Sequence, residues 1–253
     1  MALTDRQYFT LRRLQSLTGV VPVGVFLLEH WFTNAFALGG AAAYNEKVEF
    51  LRSLPYLFLL EIFGIFLPIA FHAVIGSWIF WEAKFNNRAL PLRQNVLFTL
   101  QRVSGVLLLF FIPYHVLTTR FAEWFGGSTH DLYAMMHDKL QNPLVVAIYA
   151  AGVLAASFHF GNGLWGFAIH WGLLTSKAAQ RRWSWAALLV ALAFAITGLN
   201  SLLAFGPLGG LSPVLLQPAK AAAGPPPAAP AAEGATRWAP SPVSWSSAAV
   251  SPA

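Results

Sequence analysis

Cysteine is absent from this chain of 253 residues, and charged side chains are scarce. Without cysteine the chain forms no disulfide, supplies no thiolate for catalysis and ligates no iron–sulfur cluster, so cluster chemistry would require another chain. Charged residues make up 10% of the sequence, whereas an average soluble domain has about a quarter. This shortage argues against a soluble globular domain.

Hydrophobic residues make up 57% of the sequence and are concentrated in five long runs. A transmembrane helix needs about 20 mostly apolar residues. We therefore predict an all-α integral membrane protein built as a five-helix bundle. Its fourth helix should tilt or project beyond the bilayer because that run is unusually long, and Pro22, Pro68 and Pro113 should bend the helices that contain them. The five runs cover about residues 14–38, 55–81, 100–121, 143–175 and 185–205.

The predicted membrane domain spans residues 1–206, and residues 207–253 form a separate tail. The tail is rich in proline, alanine and serine. A segment of this composition cannot bury enough apolar surface to fold alone. We predict that it is disordered or lies on a partner.

Lysine and arginine are distributed unevenly between the two predicted faces of the membrane. The N-terminal side carries Arg6, Arg12, Arg13, Lys84, Arg88, Arg93, Arg102, Lys177, Arg181 and Arg182. The opposite side carries Lys47, Arg52, Arg120, Lys139, Lys220 and Arg237. The positive-inside rule then places the N-terminus inside and, after five spans, the C-terminus outside. The net charge of +6 thus reflects topology rather than nucleic-acid binding.

A histidine motif, F-H-x-x-x-G-x-W-x-F, occurs twice and places His72 and His159 87 residues apart. A second pair, His30 and His115, lies 85 residues apart, and each member follows a Leu-Gln-x-x-(Ser or Thr)-Gly stretch. The sequence therefore predicts that helices I–IV are a duplicated two-helix unit, to which a fifth helix is added. Each copy contains two spans, so both copies should have the same orientation.

The four histidines should lie at two depths in the membrane. His30 follows Arg13 by 17 residues, which places it roughly 25 Å from the inner face, and His115 lies near the outer face. The same reasoning places His72 and His159 in the inner half, on the order of 15 Å from the first pair. Imidazoles paired across helices suit bis-histidine ligation of b-type haem, which favours electron transfer.

We therefore predict two haems b, with His72 and His159 on the inner haem iron and His30 and His115 on the outer. A single intramembrane histidine is as readily explained by packing, but four in a repeated frame favour a cofactor. Glycines on the faces of these histidines should leave room for a porphyrin edge. Gly76 and Gly163 each lie four residues after a histidine, His72 and His159. Gly19 lies three turns before His30, and Ser104 has the same relation to His115.

The other histidines receive simpler interpretations. His170 lies on the face of His159 toward the inside and could meet a haem propionate, although an ordinary interfacial position explains it as well. His130 and His137 stand beside Asp131 and Asp138 in the outer connection, and we predict that they are solvated loop residues.

Four stretches of the sequence resemble a known family. They are R-R-L-Q-S-L-T-G leading to E-H-W, then L-P-Y leading to F-L-P-I-A-F-H, then L-Q-R-x-S-G leading to P-Y-H, and finally F-H-F-x-N-G-L-W-x-F. Together they resemble the five-helix, di-haem cytochrome b subunit of succinate dehydrogenase/fumarate reductase. The resemblance covers about residues 8–205 and includes all four histidines.

The resemblance implies the membrane anchor of complex II, the succinate:quinone oxidoreductase of the bacterial inner membrane and the tricarboxylic acid cycle. The partners would be a flavoprotein subunit, where FAD serves the interconversion of succinate and fumarate, and an iron–sulfur subunit. Electrons would pass through the inner haem to the outer haem and on to a quinone, usually menaquinone. A higher oligomer is compatible with this resemblance.

The resemblance also implies a quinone site near the outer haem, with an acidic group that handles protons. Glu46 and Glu49, expected near the outer end of the second helix, are the preferred candidates, and solvated loop carboxylates are the alternative interpretation. Glu29 and Glu61 lie inside predicted helices, where carboxylates are functional candidates by default. Some fumarate-reducing members carry a glutamate two residues before the fourth ligand, where this chain has Ser157.

Three other functions remain as alternatives at this stage. A cytochrome b of a hydrogenase or formate dehydrogenase would keep the haems, but it has a different histidine layout. A histidine-lined proton or metal transporter would be favoured by broken helices and midplane carboxylate pairs, which the sequence does not indicate. The third alternative is a structural anchor without haem.

Overall fold

A computed structural model describes residues 4–82 and 92–206, and all regular structure within these two ranges is helical. The α-helices are α1 (Asp5–Val20), α2 (Pro22–Ala35), α3 (Ala41–Arg52), α4 (Leu57–Leu59), α5 (Leu67–Glu82), α6 (Arg93–Thr118), α7 (Leu132–Lys139), α8 (Pro143–His170) and α9 (Lys177–Phe205). Short 3₁₀ turns cover Phe36–Gly39 and Ala122–Phe125, and a π-helix covers Leu60–Phe66. The predicted tail at 207–253 and the basic residues Lys84, Arg88, Lys220 and Arg237 lie outside the described residues.

Five helical stretches are long and apolar enough to cross a membrane, which confirms the predicted number of spans. They are Asp5–Gly39, Leu57–Glu82, Arg93–Thr118, Pro143–His170 and Lys177–Phe205. Their surfaces carry large exposed apolar side chains, such as Phe63, Phe110 and Leu189, as expected for contact with lipid. Which end faces the cytoplasm stays a prediction.

Helix ends differ from the apolar runs because capping residues set them. Thr4 and Gln7 form a capping box that starts α1 well before the first apolar run, and the Ser176 side chain accepts the N–H of Ala179 at the start of α9. The fourth helix ends at His170 rather than near residue 175, two residues before Gly172, whose φ of 72° does not continue a helix. Its 28 residues still exceed the about 20 that a span needs, so the tilt or projection beyond the bilayer stays a prediction.

The three internal prolines have different effects. Pro22 separates α1 from α2, and Pro68 follows the π-helix, in which the Leu67 N–H bonds to the Ile62 carbonyl five residues earlier. Proline lacks an N–H and its ring clashes with the carbonyl four residues before it, so a wider turn relieves that clash. α6 runs through Pro113 without a break.

α8 is central to the bundle, because it packs against α1, α6 and α9. Its contact with α9 is close: a Cβ added at Gly161 would lie 2.6 Å from the Cβ of Ala191. Small residues at such crossings allow helices to approach in a membrane. α2 is tied to α9 by the Trp31 indole, which donates to the Phe194 carbonyl at 2.6 Å.

The connections at the far end of the bundle from α1 form a cap of two helices, α3 and α7, which the sequence analysis missed. Tyr133 donates to the Ala204 carbonyl at 3.0 Å, and His137 Nδ1 lies 2.8 Å from the Phe205 carbonyl, so α7 caps the last turn of α9. His137 is thus a helical residue with a bonded ring rather than a loop residue. Glu46 and Glu49, predicted near the outer end of the second helix, lie on α3, which ends at Arg52 before that span begins at Leu57.

Candidate functional site

The structure brings His72 of α5 and His159 of α8 together inside the bundle. Their ring centres are 6.2 Å apart and their planes cross at 82°. His72 Nδ1 lies 2.8 Å from the Gln15 carbonyl, and His159 Nδ1 lies 3.1 Å from the Gln101 carbonyl. A ring that donates from Nδ1 to a carbonyl presents the Nε2 lone pair as the ligating atom.

The two Gln carbonyls have matching surroundings. Thr18 Oγ1 donates to the Gln15 carbonyl at 2.9 Å, and Ser104 Oγ donates to the Gln101 carbonyl at 3.0 Å. The Gln15 amide nitrogen lies 3.3 Å from His72 Nε2 and 3.4 Å from His72 Nδ1, so it contacts both ring nitrogens. The Leu-Gln-x-x-(Ser or Thr)-Gly repeat of the sequence supplies these polar partners of the pair.

Glycines allow this pair of rings to approach the neighbouring helices. A Cβ at Gly19 would lie 2.4 Å from His72 Cε1, and one at Gly105 would lie 3.1 Å from His159 Cε1. Ser104 Oγ lies 3.1 Å from His159 Nδ1. Gly19 and Ser104 therefore contact the His72–His159 pair rather than the predicted His30–His115 pair. At Gly76 and Gly163 a Cβ would meet only the side-chain nitrogens of Gln15 and Gln101, at 3.4 and 3.5 Å.

The second pair, His30 of α2 and His115 of α6, lies toward the α3–α7 cap. The ring centres are 5.7 Å apart at an interplanar angle of 79°. His115 stacks on Phe111 and has its Nδ1 3.4 Å from the Tyr149 hydroxyl, while His30 Nε2 lies 3.3 Å from the Asn34 amide. Side chains therefore contact the rings of this pair, whereas backbone carbonyls contact the rings of the His72–His159 pair.

The two pairs are well separated along the bundle. Tyr149, which contacts His115, and His159 lie ten residues apart on α8, and a helix rises about 1.5 Å per residue. The separation is therefore about 15 Å, the same order as the sequence predicts.

A cavity of about 210 Å³ lies at the N-terminal end of the first span, and its lining includes Gln15, whose carbonyl contacts His72. The Arg13 guanidinium lies 4.2 Å from the Trp171 ring centre, and the Trp171 indole donates to Ser16 at 3.1 Å. Arg13 Nε is buried without a hydrogen-bond partner. The cavity is lined by Tyr8, Phe9, Arg12, Arg13, Gln15, Ser16 and His170.

Comparison with known proteins identifies the family. Residues 93–198 match the family described as Succinate dehydrogenase/Fumarate reductase transmembrane subunit. The succinate dehydrogenase cytochrome b558 subunit of Bacillus subtilis (strain 168) is 41% identical over 203 residues, which are 80% of this chain and all of that protein. The chain belongs to the succinate dehydrogenase/fumarate reductase cytochrome b family. It is a multi-pass membrane anchor, and the resemblance noted in the sequence is confirmed.

The carboxylates considered for a quinone site in this succinate dehydrogenase family member have different environments. Glu46 and Glu49 are exposed on α3, opposite the buried Tyr44. Glu61 forms a two-contact ion pair with Arg120 at 2.8 and 3.0 Å, and this hydrogen bond raises the pKa of the Arg120 guanidinium.

The remaining carboxylate, Glu29, and the hydroxyl of Ser157 make hydrogen bonds within their own helices. Glu29 accepts a 2.5 Å hydrogen bond from Thr33. Ser157 is buried and bonds to the Val153 carbonyl of its own helix at 2.8 Å.

Proposed function

We propose that this chain is the di-haem cytochrome b subunit of a succinate:quinone oxidoreductase, which passes electrons from an iron–sulfur subunit to a quinone, expected to be menaquinone. The observation that carries the proposal is the presence of two facing imidazole pairs inside the spans of a family member. Succinate oxidation itself belongs to a partner flavoprotein. The bacterial inner membrane, with the N-terminus in the cytoplasm, is the proposed location.

Each pair would hold one haem iron between its two imidazoles. Two metal–imidazole bonds of about 2 Å each, with the distance from each nitrogen to its ring centre added, would place the ring centres roughly 6 Å apart. The distances of 6.2 and 5.7 Å agree with this value. A porphyrin iron needs only two protein ligands, and within the described residues no three His, Asp or Glu side chains form a metal cluster.

The residues around the pairs have distinct proposed roles. The carbonyls of Gln15 and Gln101 fix the ring orientation and tautomer of His72 and His159. The cavity at Arg13 and His170 provides cationic and polar groups for haem propionates, and an orphaned Arg13 Nε is the donor that a carboxylate would satisfy. The haems, when bound, supply one-electron redox chemistry.

The matched contacts also support a duplicated two-helix unit. The Gln15 and Gln101 carbonyls contact His72 and His159 in the same way, and Gly19 and Gly105 lie against the same two rings. The glutamine amides differ, because that of Gln15 lies at the His72 ring and that of Gln101 donates to the His159 carbonyl.

We expect the purified complex to contain two haems b per copy of this chain. Two imidazole pairs can each hold one haem, and the lack of cysteine rules out covalent c-type attachment. Pyridine haemochrome analysis measures the number, and replacement of the exposed His130 by alanine is the control that should leave it at two. One haem or none would contradict the assignment.

The iron–sulfur subunit is proposed to dock on the end of the bundle where α6 and α9 begin. Arg93, Lys177, Arg181 and Arg182 are exposed there, beside the exposed Trp185. Lys84 and Arg88, part of the same predicted cluster, lie outside the described residues.

Reversing two charges, Arg181→Glu with Arg182→Glu, should release the iron–sulfur subunit from the detergent-solubilised complex, because like charges across an interface repel. Subunit content after affinity purification measures this. Lys47→Glu, at the opposite end, is the matched control. Retention of the subunit by the double variant in both low and high salt would show that docking is not electrostatic.

The quinone site is proposed at the His30–His115 end, and Glu46 and Glu49 are the first carboxylates to test. Glu61 is held by Arg120 and Glu29 by Thr33. Glu46 and Glu49 are exposed to solvent, where protons exchange freely, and Glu49 makes a 3.4 Å contact with Arg52.

A further inference from the structure

Lys139 ends α7 in the cap and reaches the helix that carries His115. Its Nζ donates a hydrogen bond to the carbonyl of Thr118, the last residue of α6. The last carbonyls of a helix lack partners within it and carry the negative end of the helix dipole, so a lysine here is a favourable cap. Thr119 Oγ1 completes the capping by donating to the His115 carbonyl at 2.6 Å.

The charge of Lys139 is partly buried and is not neutralised by a carboxylate. Burial lowers the pKa of Lys139 below its ordinary value. Within residues 4–82 and 92–206, the ion pairs are Arg52–Glu49 and Arg120–Glu61, and Lys139 takes part in neither.

Two charges of opposite sign therefore lie near the second histidine pair. Lys139 bonds to the carbonyl of Thr118, which lies three residues after His115 on α6, and Glu29 directly precedes His30 on α2. Each charge has a neutral hydrogen-bond partner, the Thr33 hydroxyl for Glu29 and the Thr118 carbonyl for Lys139.

We propose that Lys139 is a positioning residue for the haem held by His30 and His115, which caps the His115 helix and raises the reduction potential of that haem. The inference rests on the proposed di-haem function. Accepting one electron removes a unit of positive charge from a ferric haem, so a nearby fixed cation favours the ferrous form. The effect is strong where burial keeps the local dielectric constant low.

The experiment is a redox titration of the intact three-subunit complex carrying Lys139→Gln, which can still donate a hydrogen bond but has no charge. At a fixed potential near the midpoint, the ratio of oxidised to reduced haem at the His30–His115 site should rise about tenfold, which is about 59 mV for a one-electron couple. The other haem should be unchanged. The electron paramagnetic resonance signal that disappears in His115→Leu identifies the site.

Two variants separate charge from structure. Lys139→Arg keeps the charge and should titrate close to the unmodified complex. Lys47→Met removes a cation that lies over the Phe50 ring on α3, in the same cap, and should leave both haems unchanged.

An unchanged potential in Lys139→Gln would overturn the inference, as would an equal shift of both haems or a shift of the same size in Lys139→Arg. Haem content is measured first in the unmodified complex. A content below two would instead contradict the proposed function and is thereby distinguished from a failure of the Lys139 inference.

Discussion

Replacing His159 by leucine should prevent succinate from reducing either haem rapidly. His159 faces His72 next to the N-terminal half of the first span, at the end of the bundle proposed to receive the iron–sulfur subunit. Loss of an iron ligand should lower haem affinity by more than the roughly 10–100-fold that follows loss of a ligand's hydrogen-bond partner. Rapid-mixing spectroscopy measures the rate at which succinate reduces the haems. Full reduction with dithionite then measures how much haem remains bound.

His115→Leu should have the complementary effect. The haem of the His30–His115 pair should be lost or disturbed, while the other haem stays reducible by succinate and quinone reduction stops. The 15 Å separation along α8 keeps the two sites structurally independent. His130→Leu, in the exposed connection, is the matched control. If His115→Leu blocked reduction of both haems and His159→Leu spared one, the proposed order of electron flow would be reversed.

The number of spans could be predicted from composition, because crossing a bilayer requires a length of apolar sequence that few other structures need. The helix ends could not be predicted in the same way. α1 begins at a capping box among polar residues, and α8 stops before Gly172, so local backbone chemistry rather than hydropathy sets these boundaries.

The cap of α3 and α7 escaped the sequence analysis because its helices are short and only one side of each is buried. Tyr44 and Val48, the buried residues of α3, lie four residues apart, and Met136 is buried on α7. Hydropathy averaged over 20 residues does not detect such isolated buried positions. The same averaging left Glu46 and Glu49 in an unassigned connection near the second helix, although they belong to the exposed side of α3.

The histidine pairs could be predicted from the repeat, since equal spacing within duplicated spans requires equal depth. Their partners could not, because a carbonyl such as that of Gln15 has no sequence signature of its own. The role of Gly19 was assigned to the wrong pair for a related reason. On one continuous helix Gly19 and His30 would share a face. In the structure the break at Pro22 and the packing of α1 on α5 place Gly19 against His72 instead.

Gly19→Ala should selectively disrupt the haem held by His72 and His159. A Cβ at this position would lie 2.4 Å from His72 Cε1 and 2.7 Å from His72 Nδ1, well inside van der Waals contact. The ring would have to rotate or move, which breaks the 2.8 Å contact between His72 Nδ1 and the Gln15 carbonyl. Overpacking of this kind costs about 1–3 kcal/mol, and a lost partner of a metal-ligating histidine costs about 10–100-fold in affinity.

Haem content and the low-spin resonance of each haem measure the outcome. We expect the signal of the His72–His159 haem to be lost or shifted in Gly19→Ala, with the other signal intact. Gly105→Ala should have a smaller effect, because its Cβ would lie 3.1 Å from His159 Cε1 and a shift of a few tenths of an ångström relieves that contact.

Gly166→Ala is the control for helix effects. It lies on α8, a Cβ there would meet nothing within 4 Å, and alanine is the better helix former by about 1 kcal/mol. It should therefore leave both haems in place and stabilise the bundle slightly. The graded order, with Gly19 most severe, Gly105 milder and Gly166 neutral, follows from the three distances alone. Equal behaviour of all three variants would show that ring packing against α1 and α6 does not govern haem binding at this pair.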